Sequence, residues 1–263
     1  MGLMSKKKTK ALEEAADSPI VVDPMTNAIL TAVFAAQVFG IVWALATAKF
    51  FDMKISNVEM IKAFFAACAA VTIIINFVKY VSRRCGAFLS KNIFPGDPLK
   101  KRRTMKKFED QMWQLTIHIS MSALEYYILF VEHGEASWYT HYYMTFSPHK
   151  NFQINSASLH VLYLLQIAIW IVTCVQHRFI EERHKDYVMM YVHHICTIGL
   201  VGGSYYCNYL RVGSLVLWVH DVSDILVDLI KIFNYCQLEG RKGFFLVEAV
   251  FFSNFGVWAY YRM

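Results

Sequence analysis

Seven predominantly apolar runs, near 27–48, 59–80, 111–131, 158–176, 187–207, 213–232 and 243–261, restrict this chain to one kind of architecture. About twenty residues at ~1.5 Å rise cross the ~30 Å hydrocarbon core of a bilayer. Inside lipid every backbone N–H and C=O needs a partner within the protein, and continuous runs of this length meet that need as helices. The sequence therefore predicts an all-α, polytopic transmembrane helix bundle of about seven spans. Its composition excludes a soluble domain: 56% of residues are hydrophobic, only 17% are charged, and mean hydropathy is positive.

The charges between the runs set an orientation. Of the 26 Lys and Arg residues, 20 fall on the side of the N-terminus and 6 on the other, the bias of a chain whose N-terminus is cytosolic. Residues 1–26 read as a solvated cytosolic tail: acidic Glu13, Glu14 and Asp17 and two prolines precede the first apolar run, so it is not a cleaved signal peptide. Residues 27–105 hold two spans and a basic cytosolic loop. In that loop Lys100-Lys101-Arg102-Arg103 with Lys106-Lys107 serves topology or meets anionic membrane lipids. Nucleic acid is not an expected partner, and no nucleotide-binding glycine loop is present. Trp138, Tyr139, Tyr142, Tyr143 and Phe146 suit a membrane interface on the far side. The six cysteines lack CxxC or paired spacing and read as packing residues.

Two polar clusters interrupt the fifth and sixth runs: His193-His194, and His220-Asp221 with Asp224. Ionisable residues cost roughly 2.5–3.5 kcal/mol each at the centre of a membrane helix, so chains keep them for pairing or chemistry. If the fifth span leaves the cytosolic side near Tyr187 and the sixth returns near Ile232, the histidine pair lies about 9–10 Å deep and Asp224 about 12 Å deep. The short connection Cys207–Val212 makes the two helices antiparallel neighbours and closes a polar pocket in the cytosolic half. Imidazole acts as base or nucleophile near neutrality, and a carboxylate orients and charge-balances it, so acyl transfer fits. A metal does not: no HxxxH or HxxHH box occurs, and adjacent histidines diverge by about 100° on a helix.

The run His193-His194-x-x-Thr197, Ser204-Tyr205, Asn208, Arg211-x-Gly213, His220-Asp221-x-x-Asp224 and Lys231-x-x-Asn234-Tyr235 resembles the signature of the longevity-assurance family of ceramide synthases. Lys107-Phe108 with Trp113, and His184-Lys185-Asp186, extend the resemblance upstream, over about Lys106 to Arg262. It implies a TLC catalytic domain over 106–263, placed in the endoplasmic reticulum membrane. The implied reaction is N-acylation of a sphingoid base by a fatty acyl-CoA to give ceramide or dihydroceramide, with acyl-CoA as co-substrate and no resident cofactor or metal. A homo- or heterodimer is a compatible assembly.

In that reading one of His193 and His194 takes the amine proton or accepts the acyl group. Asp221 and Asp224 orient and balance the imidazoles, and His220 is a further acid or base. Lys231, Asn234, Tyr235, Asn208 and Arg211 form the substrate-binding set. Lys231 either anchors its helix at the headgroups or binds a CoA phosphate, and Arg211, in the far turn, suits a capping or folding role. Asp228 stands where the family has glutamate, and its shallow depth suggests solvent contact. Gln114 replaces the family's arginine. His118, Glu125 and Glu248 read as structural. The family continues beyond the position of Met263 through a proline and a further span, so the resemblance implies a fragment or a shortened member. The alternatives are a non-catalytic TLC-domain protein for lipid sensing or trafficking, and a transporter, for which only Gly199 and Gly202-Gly203 offer a helix break.

Overall fold

A computed structural model describes residues 22–47, 56–92, 94, 98–132, 138, 140–147, 153–181, 187–238, 240 and 245–262. The N-terminal tail to residue 21, Tyr139 and the His184-Lys185-Asp186 triplet lie outside the described residues. Helices stand at all seven apolar runs: α1 Pro24–Thr47, α2 Asn57–Asn92, α3 Pro98–Tyr126 with a π-helical continuation Tyr127–Glu132, α4 Ala157–Phe179, α5 Tyr187–Tyr206, α6 Leu210–Tyr235 and α7 Leu246–Arg262. No strand occurs among the described residues. By length and composition alone, α1, α2 and α4 qualify as membrane spans.

The axis of the bundle is α4. Its apolar window is 78% buried, against 17% for α1 and for α2; the three are about equally apolar, so what separates them is position, α4 inside and the other two covering it from outside. Ser156 caps its N-terminus by accepting from the Leu159 N–H, and His177 and Arg178 occupy its last turn, where cations suit the helix dipole. Helices α2, α3, α6 and α5 pack around it, α1 closes the circuit between α2 and α5, and α7 lies against α6. Outward-facing Phe39, Ile73, Phe77, Leu200 and Phe252 are 65–75% exposed, a belt that only lipid satisfies; the protein is membrane-embedded.

The expected pairing of α5 with α6 is realised only narrowly. The turn between them is short: Asn208 takes the left-handed conformation at φ 57°, and the Tyr209 N–H donates to Ser204 O at 2.8 Å. Beyond the turn, however, α6 takes α3 as its chief partner and α5 takes α4. The reason is chemical, since the polar stripe of α6 finds its hydrogen-bond partners on α3 and α4. The circuit is thus thinnest between α5 and α6.

A charged network fastens the basic end of the bundle. Lys79 of α2 reaches Asp110 of α3 at 2.6 Å and Glu181, just past α4, at 3.3 Å, and Arg83 holds Glu109 through two bonds of 3.0 and 2.9 Å. Burial alone would raise the Glu181 carboxyl, but the His177 N–H and Lys79 hold it below the usual carboxylate range. His177 donates through Nε2 to Tyr187 O at 3.1 Å, linking the end of α4 to the start of α5. Two sequence expectations fail in detail. Of the cysteines only Cys174 is buried, while Cys85, Cys196 and Cys207 are exposed free thiols. Trp138 is buried rather than interfacial, because Arg211 stacks over its ring at 5.2 Å; Tyr142, Tyr143 and Phe146 are exposed as expected.

Candidate active site

Trp170 of α4 is the fixed point of the site. Its indole N–H donates to Gln166 Oε1 at 2.9 Å, one turn away on the same helix, which sets the ring plane. Three imidazoles surround it, with ring centroids at 5.6 Å for His194, 6.1 Å for His193 and 6.5 Å for His118. A cavity of about 110 Å³ opens beside the indole. Helix α3 contributes Gln114 and His118 to its wall, α5 contributes Met190 and the histidine pair, and α6 contributes Asp224, Val227, Asp228 and Lys231. The space sits in the thin seam between α5 and α6, near the basic end: His194 meets His177 edge-on at 5.4 Å.

The two adjacent histidines diverge as helix geometry requires. His194 is 2% exposed and points inward, its Nδ1 without a hydrogen-bond partner among the described residues. His193 is exposed and borders the cavity from the seam side. Asp224 borders the same cavity and accepts from Ser223 Oγ at 3.4 Å. The structure therefore brings together His193, His194, Asp224 and Lys231 from the sequence-predicted set.

The rest of that set lies elsewhere. Asp221 is 3% exposed and faces a different partner: Gln166 Nε2 donates to its Oδ2 at 2.9 Å and to Glu125 Oε1 at 3.0 Å. One amide thus serves two buried carboxylates deeper in the bundle, and Glu125 has the buried structural place expected of it. His220 is exposed and does not line the cavity, though it stands within electrostatic reach of His193, and its Nδ1 donates to Val216 O in its own helix at 2.8 Å. Asn234 is exposed, and Tyr235 packs beside Phe94, Phe108 and Ile232 in a separate cluster. Asn208 and Arg211 stand at the opposite end. Arg211 donates to Ser147 O at 3.2 Å and Ile154 O at 2.8 Å, and Asn208 accepts from Asn155 at 2.8 Å. These contacts fold the far turn and are remote from the cavity.

Two residues set aside in the sequence belong to the site. Asp228 is not solvated but 3% exposed, because Gln111 donates to its Oδ1 at 2.5 Å and His118 Nδ1 meets its Oδ2 at 2.7 Å. Spacing held the signal. Gln111, Gln114 and His118 recur at i, i+3 and i+7 on α3, and so do Asp221, Asp224 and Asp228 on α6, which puts each trio on one face. Among the described residues no three His, Cys, Asp or Glu side chains converge as a metal site.

Comparison with known proteins adds a lineage to this geometry. The TLC-domain family profile matches residues 107–263. The chain is 33% identical to ceramide synthase 5 of Homo sapiens over 140 residues, 53% of this chain and 34% of that protein. It is 28% identical to ASC1-like protein 3 of Oryza sativa subsp. japonica over 158 residues, 60% and 52% of the respective chains. With ceramide synthase 4 of Mus musculus it shares 30% identity over 148 residues, 56% and 36%. The chain spans about a third to a half of the length of these relatives.

Proposed function

The chain belongs to the TLC-domain family, and from that premise we propose that it is a ceramide synthase, joining a fatty acyl group from acyl-CoA to the amine of a sphingoid base. The observation that carries the reading is the convergence of His193, His194 and Asp224 on one cavity beside Trp170. A nucleophile or base needs a positioned partner, and that cavity offers two imidazoles and a carboxylate within one small space. The matched relatives named ceramide synthase supply the substrate class.

The acyl thioester enters from the basic end, where Lys231 borders the cavity and is exposed to meet a CoA phosphate. His193 or His194 either takes the proton of the attacking amine or first accepts the acyl group as an acyl-imidazole, which the amine then cleaves. Asp224 balances the positive charge that develops on the ring. At about 110 Å³ the cavity holds the reacting groups, and the two hydrocarbon tails leave it through the seam between α5 and α6 toward lipid. Acyl-CoA is a co-substrate, and no resident cofactor takes part. The protein acts in the endoplasmic reticulum membrane with its basic end and N-terminus toward the cytosol, as the 20-to-6 distribution of Lys and Arg supports.

The test is N-acylation by purified protein across a panel of acyl-CoA chain lengths, beside His193→Ala, His194→Ala and Asp224→Ala. Wild type should form amide, and loss of the essential imidazole should lower turnover by about 10²–10⁴-fold. A folded wild type that binds sphingoid base but forms no amide with any donor would refute the synthase reading in favour of lipid sensing. An acyl-enzyme that persists when both His193 and His194 are replaced would refute the acyl-imidazole route alone.

A further inference from the structure

We infer that His118 is a catalytic general base of this site, held in its working tautomer by Asp228 and Gln111. The inference rests on the proposed N-acyl transfer and assigns it a proton acceptor on α3, across the cavity from the α5 histidines. Three observations carry it. His118 is 5% exposed and Asp228 3%, so their contact of 2.7 Å is a buried, charge-assisted bond. Both carboxylate oxygens are engaged, Oδ2 by His118 Nδ1 and Oδ1 by Gln111 Nε2, so the carboxylate has a single orientation. A carboxylate accepts, which places the ring proton on Nδ1 and leaves a lone pair on Nε2.

That Nε2 is buried and has no hydrogen-bond partner among the described residues, and His118 is one of the residues lining the cavity. Leaving such an atom unsatisfied costs about 1–3 kcal/mol, which a donor arriving in the cavity would recover. The deeper carboxylates differ in place: Gln166 bonds both Glu125 and Asp221, Glu125 Oε2 is likewise buried without a partner among the described residues, and neither residue lines the cavity, whereas His118 does. Other charged groups facing His118 are Asp221, Asp224 and Lys231 from α6 and His193 and His194 from α5, with uncharged Trp170 from α4.

In the reaction, the amine nitrogen bonds to the acyl carbonyl carbon as its proton passes to His118 Nε2. The C=O electron pair moves to oxygen and returns to expel the leaving group. In direct transfer that group is the CoA thiolate, which receives the proton from the His118 imidazolium. In the acyl-imidazole route it is the ring of His193 or His194, and His118 returns the proton to it. The Asp228 carboxylate balances the imidazolium in the interval. His118 and the α5 histidines thereby divide the amine side from the acyl side of the bond.

The test compares wild type, His118→Gln, Asp228→Asn and Asp228→Glu for turnover from pH 6 to 9, each checked for a sharp thermal transition in detergent. Glutamine should lower turnover by about 10²–10³-fold at neutral pH. The ratio of His118→Gln to wild-type rate should rise with pH, as solvent takes over the proton transfer. Asp228→Asn, whose amide donates to Nδ1 and drives the proton to Nε2, should give a comparable loss, and Asp228→Glu should restore much of it. A His118→Gln rate within threefold of wild type, or a loss equal at every pH, would overturn the assignment. If His118→Gln does not fold, full turnover in folded Asp228→Asn overturns it instead. An inactive wild type would remove the synthase reading, and this assignment with it; an active wild type with an indifferent His118 would remove only the assignment.

Discussion

Gly213 supports the bundle at a point where no other residue fits, and its replacement by alanine can be worked through from contacts. A Cβ at this position falls inside the contact radius of the Tyr163 hydroxyl and lies 3.1 Å from Tyr163 Cζ and 3.2 Å from Ser204 Oγ. Tyr163 cannot swing aside, since it is fully buried and packed against Tyr205 with ring centroids 5.7 Å apart. Its hydroxyl donates to Leu210 O at 3.2 Å and accepts from Ser204 at 3.2 Å, tying α4 to both helices at the far turn. Overpacking costs about 1–3 kcal/mol, and each displaced hydrogen bond about 1 kcal/mol. A total of about 3–5 kcal/mol corresponds to a Tm lower by about 6–20 °C at about 2–4 °C per kcal/mol. The decisive variant is Gly213→Ala with Tyr163→Phe. Deleting the hydroxyl removes the worst contact and leaves those with Tyr163 Cζ and Ser204 Oγ, which shifts of a few tenths of an ångström relieve. The double variant should melt above Gly213→Ala alone, a coupling of at least about 1 kcal/mol in a double-mutant cycle. Additive losses, or an unchanged Tm for Gly213→Ala, would refute the steric account.

Gln166→Leu strips the shared donor from Glu125 and Asp221 and the acceptor from Trp170; bonds to carboxylates are worth about 1.5–3 kcal/mol each. Calorimetry should show a loss of about 3–5 kcal/mol. Turnover should fall more than KM rises, because the indole beside the imidazoles loses its orientation. Lys79→Ala leaves Asp110 and Glu181 facing each other without their cation, at a cost of about 3–5 kcal/mol for a broken buried pair. Adding Asp110→Asn should recover part of the lost Tm, and no recovery would deny Lys79 its bridging role.

The helices were legible because each apolar run is long, and length is what lipid demands of a span. The histidine pair and Asp224 were legible because the depth of a residue follows from its distance to the helix end. What depth does not give is azimuth. His220, Asp221 and Asp224 lie within five positions of one another, yet the first is exposed and bonds its own helix, the second faces α4 and the third borders the cavity. Their separation depends on which helix packs against which face, and the short turn suggested α5 as the neighbour where the contacts favour α3. Asp228 was misplaced for the same reason. Judged by depth it belonged to solvent, but Gln111 and His118 approach it from α3, and only the matching heptad-like spacing on both helices hinted at that meeting.

The same stripe of α6 therefore holds two carboxylate systems with opposite fates. Asp221 faces Gln166 and Glu125, partners fixed on the helices that bound it, and this cluster is away from the cavity. Such a buried polar contact fixes the register of α3, α4 and α6, since a one-residue slip would strand two carboxylates. Two turns along, Asp228 is just as buried, but its partner His118 lines the cavity and keeps a buried nitrogen without a hydrogen-bond partner among the described residues. The first system locks the helices at the depth where the second must work. Loosening Gln166 should therefore disturb turnover through His118 and Trp170 even though Gln166 does not line the cavity. A Gln166→Leu enzyme that melted early yet kept full turnover below its transition would separate the two systems and refute that dependence.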